Sequence, residues 1–227
     1  MSNVNHQLKT ILIHNAKAAG TSMYLALNME HSHDTQEQSR AKHSEYWDQY
    51  FKFAFVRSPV DRAISTYEFV KMDRSWYHDN ISPNEDGRHG DRQKDYERVQ
   101  GKSLDDCLQM LLDDPKSLTH PGWRPQSQFI SDPDELDFLG RYERLEADWE
   151  TLTGLLRVRL PLEKINVTKQ LQDRRKYYTL FAVEACKRLY AADYLNFNYP
   201  LTLPFVSISA GNEQIAQIKK GCNCSRK

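Results

Sequence analysis

This sequence of 227 residues has neither a long apolar segment nor an excess of charge of one sign. Its first apolar run, residues 11–13, is far too short for a signal peptide or for a membrane-spanning helix of about 20 residues. Basic and acidic residues number 31 each, so the chain lacks the excess of positive charge that is typical of nucleic-acid binding. We therefore expect no membrane span and no nucleic-acid partner.

Cysteine is scarce as well. The four cysteines, Cys107, Cys186, Cys222 and Cys224, have a spacing that forms no disulfide framework. Cys222 and Cys224 could bind a metal ion together with two further ligands, but the neighbouring sequence offers none. We therefore expect reduced thiols, a cytoplasmic protein, and a loose, basic tail over residues 206–227.

The Walker A loop of nucleoside-triphosphate-binding proteins is also absent. That loop, G-x-x-x-x-G-K-[ST], has its lysine directly after the last glycine. Here Thr21 follows Gly20, and Lys17 stands three residues before that glycine. The difference argues against a nucleotide kinase or another P-loop nucleoside triphosphatase. A P-loop nucleotide kinase remains an alternative function.

What the chain has instead is a related pattern over residues 11–22, ILIHNAKAAGTS. The short apolar run predicts a buried strand, and the small residues after it predict a tight loop. Gly20, Thr21 and Ser22 then open an amphipathic run, with hydroxyl groups where a helix prefers its N-cap. Because backbone N–H groups and the helix dipole converge at such a helix start, the pattern predicts a phosphate site.

A second segment has chemistry that complements the first. Alternating phenylalanines over residues 51–56 predict a strand with a large apolar face, which Arg57 ends. Ser58 is placed to cap the helix that follows, and Pro59 suits its first turn. Arg57 at the strand end and Ser65 on this helix could hold one anion from two sides. The alternative is that Arg57 pairs with a carboxylate in the core.

With these two segments the chain resembles the PAPS-dependent sulfotransferases, above all the compact bacterial members of the carbohydrate (type 2) family. The run HNAKAAGTS, residues 14–22, resembles the loop that holds the 5′-phosphosulfate of PAPS (3′-phosphoadenosine 5′-phosphosulfate). The run FAFVRSPVDRAISTY, residues 53–67, resembles the segment that holds its 3′-phosphate. The likeness covers nearly all of residues 10–200 and continues through PQSQFI (125–130), GRYERLEADW (140–149), INVTK (165–169) and FNY (197–199).

The first loop departs from the family pattern in two places. Ala16 replaces the proline that is usual before the lysine, and Ala18-Ala19 replaces the commoner Thr-Gly, Thr-Ala or Gly-Gly. Both changes keep the loop small, so the resemblance still implies a phosphate-binding loop.

The resemblance implies an enzyme that moves a sulfuryl group from PAPS, by in-line transfer, to a hydroxyl group of a carbohydrate or glycoconjugate. Lys17 would bridge the leaving phosphate and the sulfuryl oxygens, where kinases use Mg²⁺, so no metal ion is required. Arg57 and Ser65 would hold the 3′-phosphate. The 5′-phosphate would lie against the backbone N–H groups of Ala18, Ala19, Gly20, Thr21 and Ser22.

The resemblance also suggests a general base. Of three histidines between the two motifs, His33 best matches the histidine of the related bacterial enzymes, because it precedes a small polar pair and the run WDQYF at residues 47–51. An imidazole suits proton removal near neutral pH. His33 is therefore favoured as the base over His31 and His43, and the alternative is a surface histidine in the turn HSHD. A relative that binds PAPS without catalysing transfer is a second alternative function.

The fold class that follows is α/β, a P-loop-like sulfotransferase fold with a central, mostly parallel sheet flanked by helices. Residues 1–205 are predicted to form one domain, and the polar stretch 73–101 is either a solvated insertion or a lid. Strands are predicted near residues 10–14, 51–57, 136–141 and, more weakly, 163–167. Helices are predicted over residues 21–29, 59–72, 103–113, 145–157 and 174–194.

Overall fold

The computed structural model describes residues 3–72, 95–163 and 171–201, apart from the side chains of residues 171–173. Several predictions fall on residues outside these ranges. They concern the tail over residues 206–227 with Cys222 and Cys224, most of the insertion 73–101, and nearly all of the weak strand near 163–167.

A four-stranded sheet lies at the centre of the described structure, in the order β1-β2-β3-β4. The β2–β3 and β3–β4 pairs are parallel, and β1 is antiparallel to β2. The mostly parallel sheet of the predicted α/β class is thereby confirmed. The strands are β1 Val4–Asn5, β2 Thr10–Ile13, β3 Phe51–Val56 and β4 Phe138–Arg141. The two residues of β1 are too few to show a period, and that strand was not predicted.

Helices flank this sheet. Those that follow the predicted positions are α1 Gly20–Ala26, α3 Pro59–Val70, α5 Leu104–Asp113 and α6 Leu145–Leu155. The others are α2 Gln36–Lys42, α4 Tyr96–Val99, α7 Leu180–Leu189 and α8 Ala191–Asn196. Helix α2 was missed, although Thr35 and Gln38 form a capping box at its start. No helix among the described residues is both long enough and apolar enough to span a membrane.

The prediction of one continuous helix over residues 174–194 was wrong. The segment begins as a 3₁₀ helix, Leu171–Tyr177, and α7 starts only after Thr179, whose hydroxyl accepts the N–H of Ala182 and donates to Asp105. Tyr190 then ends α7 with a non-helical backbone and serves as the N-cap residue of α8. A side-chain cap and a bend therefore divide a stretch whose helical pattern is continuous in sequence.

Strand β3 is buried on both faces, and this determines where the layers lie. Phe53 and Phe55 pack with residues of α1 and α6 on one face, whereas Ala54 and Val56 pack beside Trp47 and neighbouring side chains on the other. Because β2, β3 and β4 run parallel, their carboxyl ends reach the same edge of the sheet. In sheets of this kind ligands bind outside that edge.

Replacing Gly140 with alanine should destabilise the sheet. Gly140 pairs with Phe55 across β3 and β4, and an added Cβ atom would overlap the phenylalanine ring. Since a packed core resists extra atoms, Gly140→Ala should lower the free energy of unfolding by about 1–3 kcal/mol in urea titrations. Gly154→Ala is the matched control. It lies on α6 with no atom near the added Cβ, and it should gain about 0.5–1 kcal/mol. Equal unfolding midpoints for the two variants would contradict the packing described here.

Candidate active site

The loop after β2 has an unusual backbone. Lys17 (φ 67°) and Ala19 (φ 65°) are both left-handed although neither is glycine, and Ala18 between them is not. Each such residue costs on the order of 1–3 kcal/mol of strain, and such strain is concentrated at functional sites. Left-handed residues in such a loop can turn successive N–H groups toward a common point, and concave arrangements of this kind are anion sites in many proteins.

The start of α1 differs from the prediction. The N-cap residue is Ala19, which has no side-chain capping bond, and Gly20 is the first helical residue. Thr21 and Ser22 therefore lie within the first turn, so the prediction that their hydroxyls cap the helix was wrong. The left-handed turn at Ala19 sets the helix entry instead, and it leaves the helix start without a side-chain cap.

Gly20 is required by close packing at this point. An added Cβ atom would overlap the ring of His14, which is itself 3% exposed. The glycine therefore lets the end of β2 and the beginning of α1 approach each other across the loop.

Lys17 projects into a group of positive charges. Its Nζ atom lies 3.6 Å from the centroid of the Phe69 ring. Burial lowers the pKa of Lys17 from 10.5 to about 7, and the charges of Arg57, Arg174 and Arg62 lower it as well. Near neutral pH this lysine is thus only partly protonated while no anion is bound.

Arg57 follows β3 and is 2% exposed. Its guanidinium donates to the carbonyl of Lys17 at 3.3 Å and lies 3.8 Å from the centroid of the Tyr142 ring. Its Nε is buried without a hydrogen-bond partner, and no carboxylate of the described residues forms an ion pair with it. Burial lowers the pKa of Arg57, and Arg174 adds to that effect. Asp61 and Glu143 act to raise the pKa of Arg57, but neither lies within ion-pair distance of it, so the described residues do not show the core ion pair that was the alternative.

Ser65 and Arg62 lie on α3 and have different surroundings. Ser65 is buried, and no hydrogen bond within the described residues joins it to Arg57. Arg62 uses its guanidinium on the carbonyls of Ala16 (2.8 Å), Arg124 (2.7 Å) and Pro121 (3.5 Å). Arg62 therefore anchors the first loop against the segment at residues 121–124.

Arg174 is a candidate that sequence reasoning missed. Its guanidinium reaches Glu68 at 3.5 Å and Asp61 at 3.9 Å, yet its Nε is buried without a partner. Its charge lowers the pKa of both Lys17 and Arg57. The basic run of residues 174–176 could have indicated an anion-binding role. It was instead included in a predicted continuous helix.

A buried amide joins the two motifs. The side-chain oxygen of Gln126 accepts from Asn15 Nδ2 (2.7 Å) and from the N–H of Arg57 (2.9 Å), and its nitrogen donates to the Arg57 carbonyl (2.8 Å). Asp193, also fully buried, accepts the N–H groups of Gln126 and Ser127, each at 2.8 Å. Gln126 therefore holds the ends of β2 and β3 in fixed relation, and α8 holds Gln126.

The predicted base lies beside the first loop. The ring centroid of His33 is 4.3 Å from that of His14 and 4.6 Å from that of His31. Its Nδ1 lies 3.5 Å from the carbonyl oxygen of His14. Burial, together with the charges of His33 and His31, keeps the pKa of His14 well below its ordinary value, and burial lowers that of His31. By contrast, His43 stacks on Tyr46 and bonds its hydroxyl at 2.7 Å.

Comparison with known proteins gives one informative result. A protein-family model described as "Sulfotransferase family" matches residues 6–200, which is most of the chain. No curated protein and no solved structure matches significantly. The matched range includes both loops, the Gln126 network and the histidines near His14.

Replacing Lys17 with methionine should change how stability depends on pH. The pKa of Lys17 is about 7 in the folded protein, against 10.5 ordinarily, so between these values the unfolded chain binds more protons. The cost of burying the charge is full below about pH 7 and fades as the pH rises toward 10. Lys17→Met should therefore unfold at higher urea than the wild type near pH 6, and this advantage should shrink with rising pH.

The control for this measurement is Lys116→Met, at an exposed lysine outside the site. It should leave the pH dependence of the urea midpoint unchanged. A Lys17→Met advantage that is constant with pH would contradict a lowered lysine pKa.

Proposed function

Because the chain belongs to the sulfotransferase family, we propose that it transfers a sulfuryl group from PAPS to a hydroxyl group of a carbohydrate or glycoconjugate. The observation that carries this proposal is a group of three closely spaced cations for which, among the described residues, only Arg174 has carboxylate partners, Glu68 and Asp61. Burial and the charges of Arg57 and Arg174 lower the pKa of Lys17, burial and Arg174 lower that of Arg57, and both arginines have a buried Nε without a partner in the described part of the chain. A ligand with two separate phosphate groups would neutralise them.

The donor would lie across both loops. Its 5′-phosphosulfate would occupy the loop of Lys17, against the N–H groups of residues 18–22. Its 3′-phosphate would lie near Arg57 and Ser65, with Arg174 supplying further charge. Charge-assisted hydrogen bonds from guanidinium to phosphate are among the stronger polar contacts in proteins.

Lys17 would act on the leaving group. In sulfuryl transfer, negative charge grows on the phosphate oxygen from which the sulfuryl group departs. A bound anion would raise the pKa of Lys17 again, so that the lysine becomes fully charged where that charge develops. Stabilisation of this kind, by a group already in place, is often the largest contribution to catalysis. We propose that this lysine supplies the required charge without a metal ion.

His33 would take the proton of the acceptor hydroxyl. If its Nδ1–H donates to the carbonyl of His14, the lone pair lies on Nε2, and Nε2 is the nitrogen that would accept the proton. His31 and His14 border the same place, and their lowered pKa values favour neutral rings there. General-base catalysis of this kind is typically worth ~10²–10⁴-fold in rate.

We further propose that residues 1–205 act as one catalytic domain in the cytoplasm. The two cysteines of the described structure, Cys107 and Cys186, are free and buried, which fits reduced thiols.

PAP, the desulfated product, should bind much more tightly than 5′-AMP, because only PAP carries the 3′-phosphate. Arg57→Ala should remove this preference and weaken PAP binding by about 2–5 kcal/mol, the cost of losing one partner of a buried charge pair. Calorimetric titration with both nucleotides measures the effect. Arg188→Ala, at an exposed arginine on α7, is the control and should bind PAP like the wild type. Equal affinity of the wild type for PAP and 5′-AMP would refute the 3′-phosphate assignment.

His33→Ala should reduce sulfuryl transfer without weakening the donor site. We expect the transfer rate from PAPS to a panel of oligosaccharides to fall by ~10²–10⁴-fold, while PAP affinity stays close to that of the wild type. His43→Ala is the control, since His43 lies against Tyr46, and it should retain activity. A large loss in His43→Ala with none in His33→Ala would show that the base is misassigned, and the donor site would be unaffected.

A further inference from the structure

Three imidazoles meet at the edge of the site, and the proposed base accounts for only one of them. One ring nitrogen each of His14, His31 and His33 lies within 4.8 Å of the other two. His14 is buried at the end of β2, whereas His31 and His33 are partly buried on the loop between α1 and α2. We call this group the histidine cluster.

We propose that the histidine cluster binds a first-row transition-metal ion of the Zn²⁺ class, and that the bound ion withholds His33 from proton transfer. The binding site stands on the geometry of the three rings. Its effect on catalysis rests on the proposed function, in which His33 is the base.

The spacing of the rings is compatible with a metal site after a small closure. In tetrahedral Zn²⁺ sites the Zn–N distance is about 2.0–2.1 Å, so two ligating nitrogens lie about 3.4 Å apart. The cluster allows separations up to 4.8 Å and therefore has to contract. His14 is fixed by packing, and Asn3 bonds both backbone groups of Ser32 between the other two histidines, so the contraction has to come from rotation of the His31 and His33 side chains.

His14 provides the independent sign that a ligand belongs here. The side chain is 3% exposed, and its Nδ1 is buried with no hydrogen-bond partner. Buried polar atoms are nearly always satisfied, and an orphaned imidazole nitrogen among two other imidazoles is suited to a cation that accepts its lone pair. The ring of His14 lies 5.1 Å from that of His31 and 4.3 Å from that of His33, centroid to centroid.

His33 is oriented in the way that metal-bound histidines usually are. Such residues donate one ring N–H to a backbone carbonyl or a carboxylate, which directs the other nitrogen to the metal. Nδ1 of His33 lies 3.5 Å from the carbonyl oxygen of His14, so Nε2 is the nitrogen that would ligate a metal ion. The same atom would serve as the base, and therefore metal binding and proton transfer are mutually exclusive.

The donor set selects the kind of metal. Three neutral imidazoles suit Zn²⁺, Cu²⁺ or Ni²⁺, whereas Mg²⁺ and Ca²⁺ require oxygen ligands. Three protein ligands leave one tetrahedral position for water. Since a coordinated Nε2 has no lone pair to give, a bound ion blocks proton acceptance by His33 until a chelator removes it.

The test begins with metal binding by the full chain. Cys222 and Cys224 are first replaced by serine, because thiols are competing ligands. The chelator-treated protein is then titrated with Zn²⁺ by calorimetry and with Co²⁺ by absorption spectroscopy. We expect one ion per chain and a tetrahedral Co²⁺ spectrum without a thiolate charge-transfer band. No binding, or a thiolate band, would overturn the proposed site.

Variants assign the ligands. His31→Ala removes a partly buried ring and should weaken Zn²⁺ binding by about tenfold or more, whereas His43→Ala, outside the cluster, should bind like the wild type. Thermal unfolding and PAP titration of each variant verify that it is folded. Undiminished Zn²⁺ binding by folded His31→Ala would overturn the assignment to the cluster.

Activity assays test the second part of the proposal. Zn²⁺ should inhibit sulfuryl transfer in the wild type and in His43→Ala, and excess EDTA should restore it. Zn²⁺ bound by the cluster without any effect on transfer would overturn the inhibitory role. A failure of the proposed function itself would look different, since PAP would then not bind whereas the metal titration would be unchanged.

Discussion

Repulsion between buried positive charges is the constraint on which the rest of this structure depends. The charges of Arg57 and Arg174 lower the pKa of Lys17, the charge of Arg174 lowers that of Arg57, and among the described residues only Arg174 of these three forms ion pairs with carboxylates. Such an arrangement opposes folding, because desolvated like charges repel and lack compensation. It persists when the surrounding structure fixes it, and an arriving anion then meets charges already in position. Under the proposed function, the stability lost to this repulsion would be recovered as binding energy for the ligand.

The scaffold that fixes these charges consists mainly of hydrogen bonds to backbone atoms. The guanidinium of Arg62 donates hydrogen bonds to carbonyls of two loops. Gln126 joins Asn15 to both backbone groups of Arg57. Buried polar networks of this kind are stable when nearly every member is satisfied, and here the side-chain oxygen of Asn15 lacks a partner among the described residues. The Nε atoms of Arg57 and Arg174 are buried and unsatisfied as well. The protein completes the hydrogen bonds of Arg62, whereas those of the two arginines proposed to bind the ligand are incomplete.

The order of strands and helices could be predicted because apolar periodicity and turn residues are local signals. The regions around β2, β3, α3 and α6 follow from such signals alone. The break between the 3₁₀ helix Leu171–Tyr177 and α7 could not be predicted, since the cap at Thr179 bonds to Asp105, 74 residues away in sequence. The start of α1 was misassigned because a left-handed alanine, Ala19, replaces the expected hydroxyl cap. The positions of Lys17 and Arg57 could be predicted because each lies in a local sequence motif. The roles of Arg174, Gln126 and the histidine cluster could not, because they depend on contacts between distant segments.

The link through Gln126 gives the site a property that neither loop has by itself. One buried amide connects the end of β2 to the end of β3, and Asp193 secures that amide from α8. The distance between the two loops proposed to bind anions is therefore set by the protein and not by a ligand. Such a site would select a molecule by the distance between its two negative groups. Ligands of equal charge would then differ in affinity according to the distance between their two negative groups, whatever other chemical groups they carry.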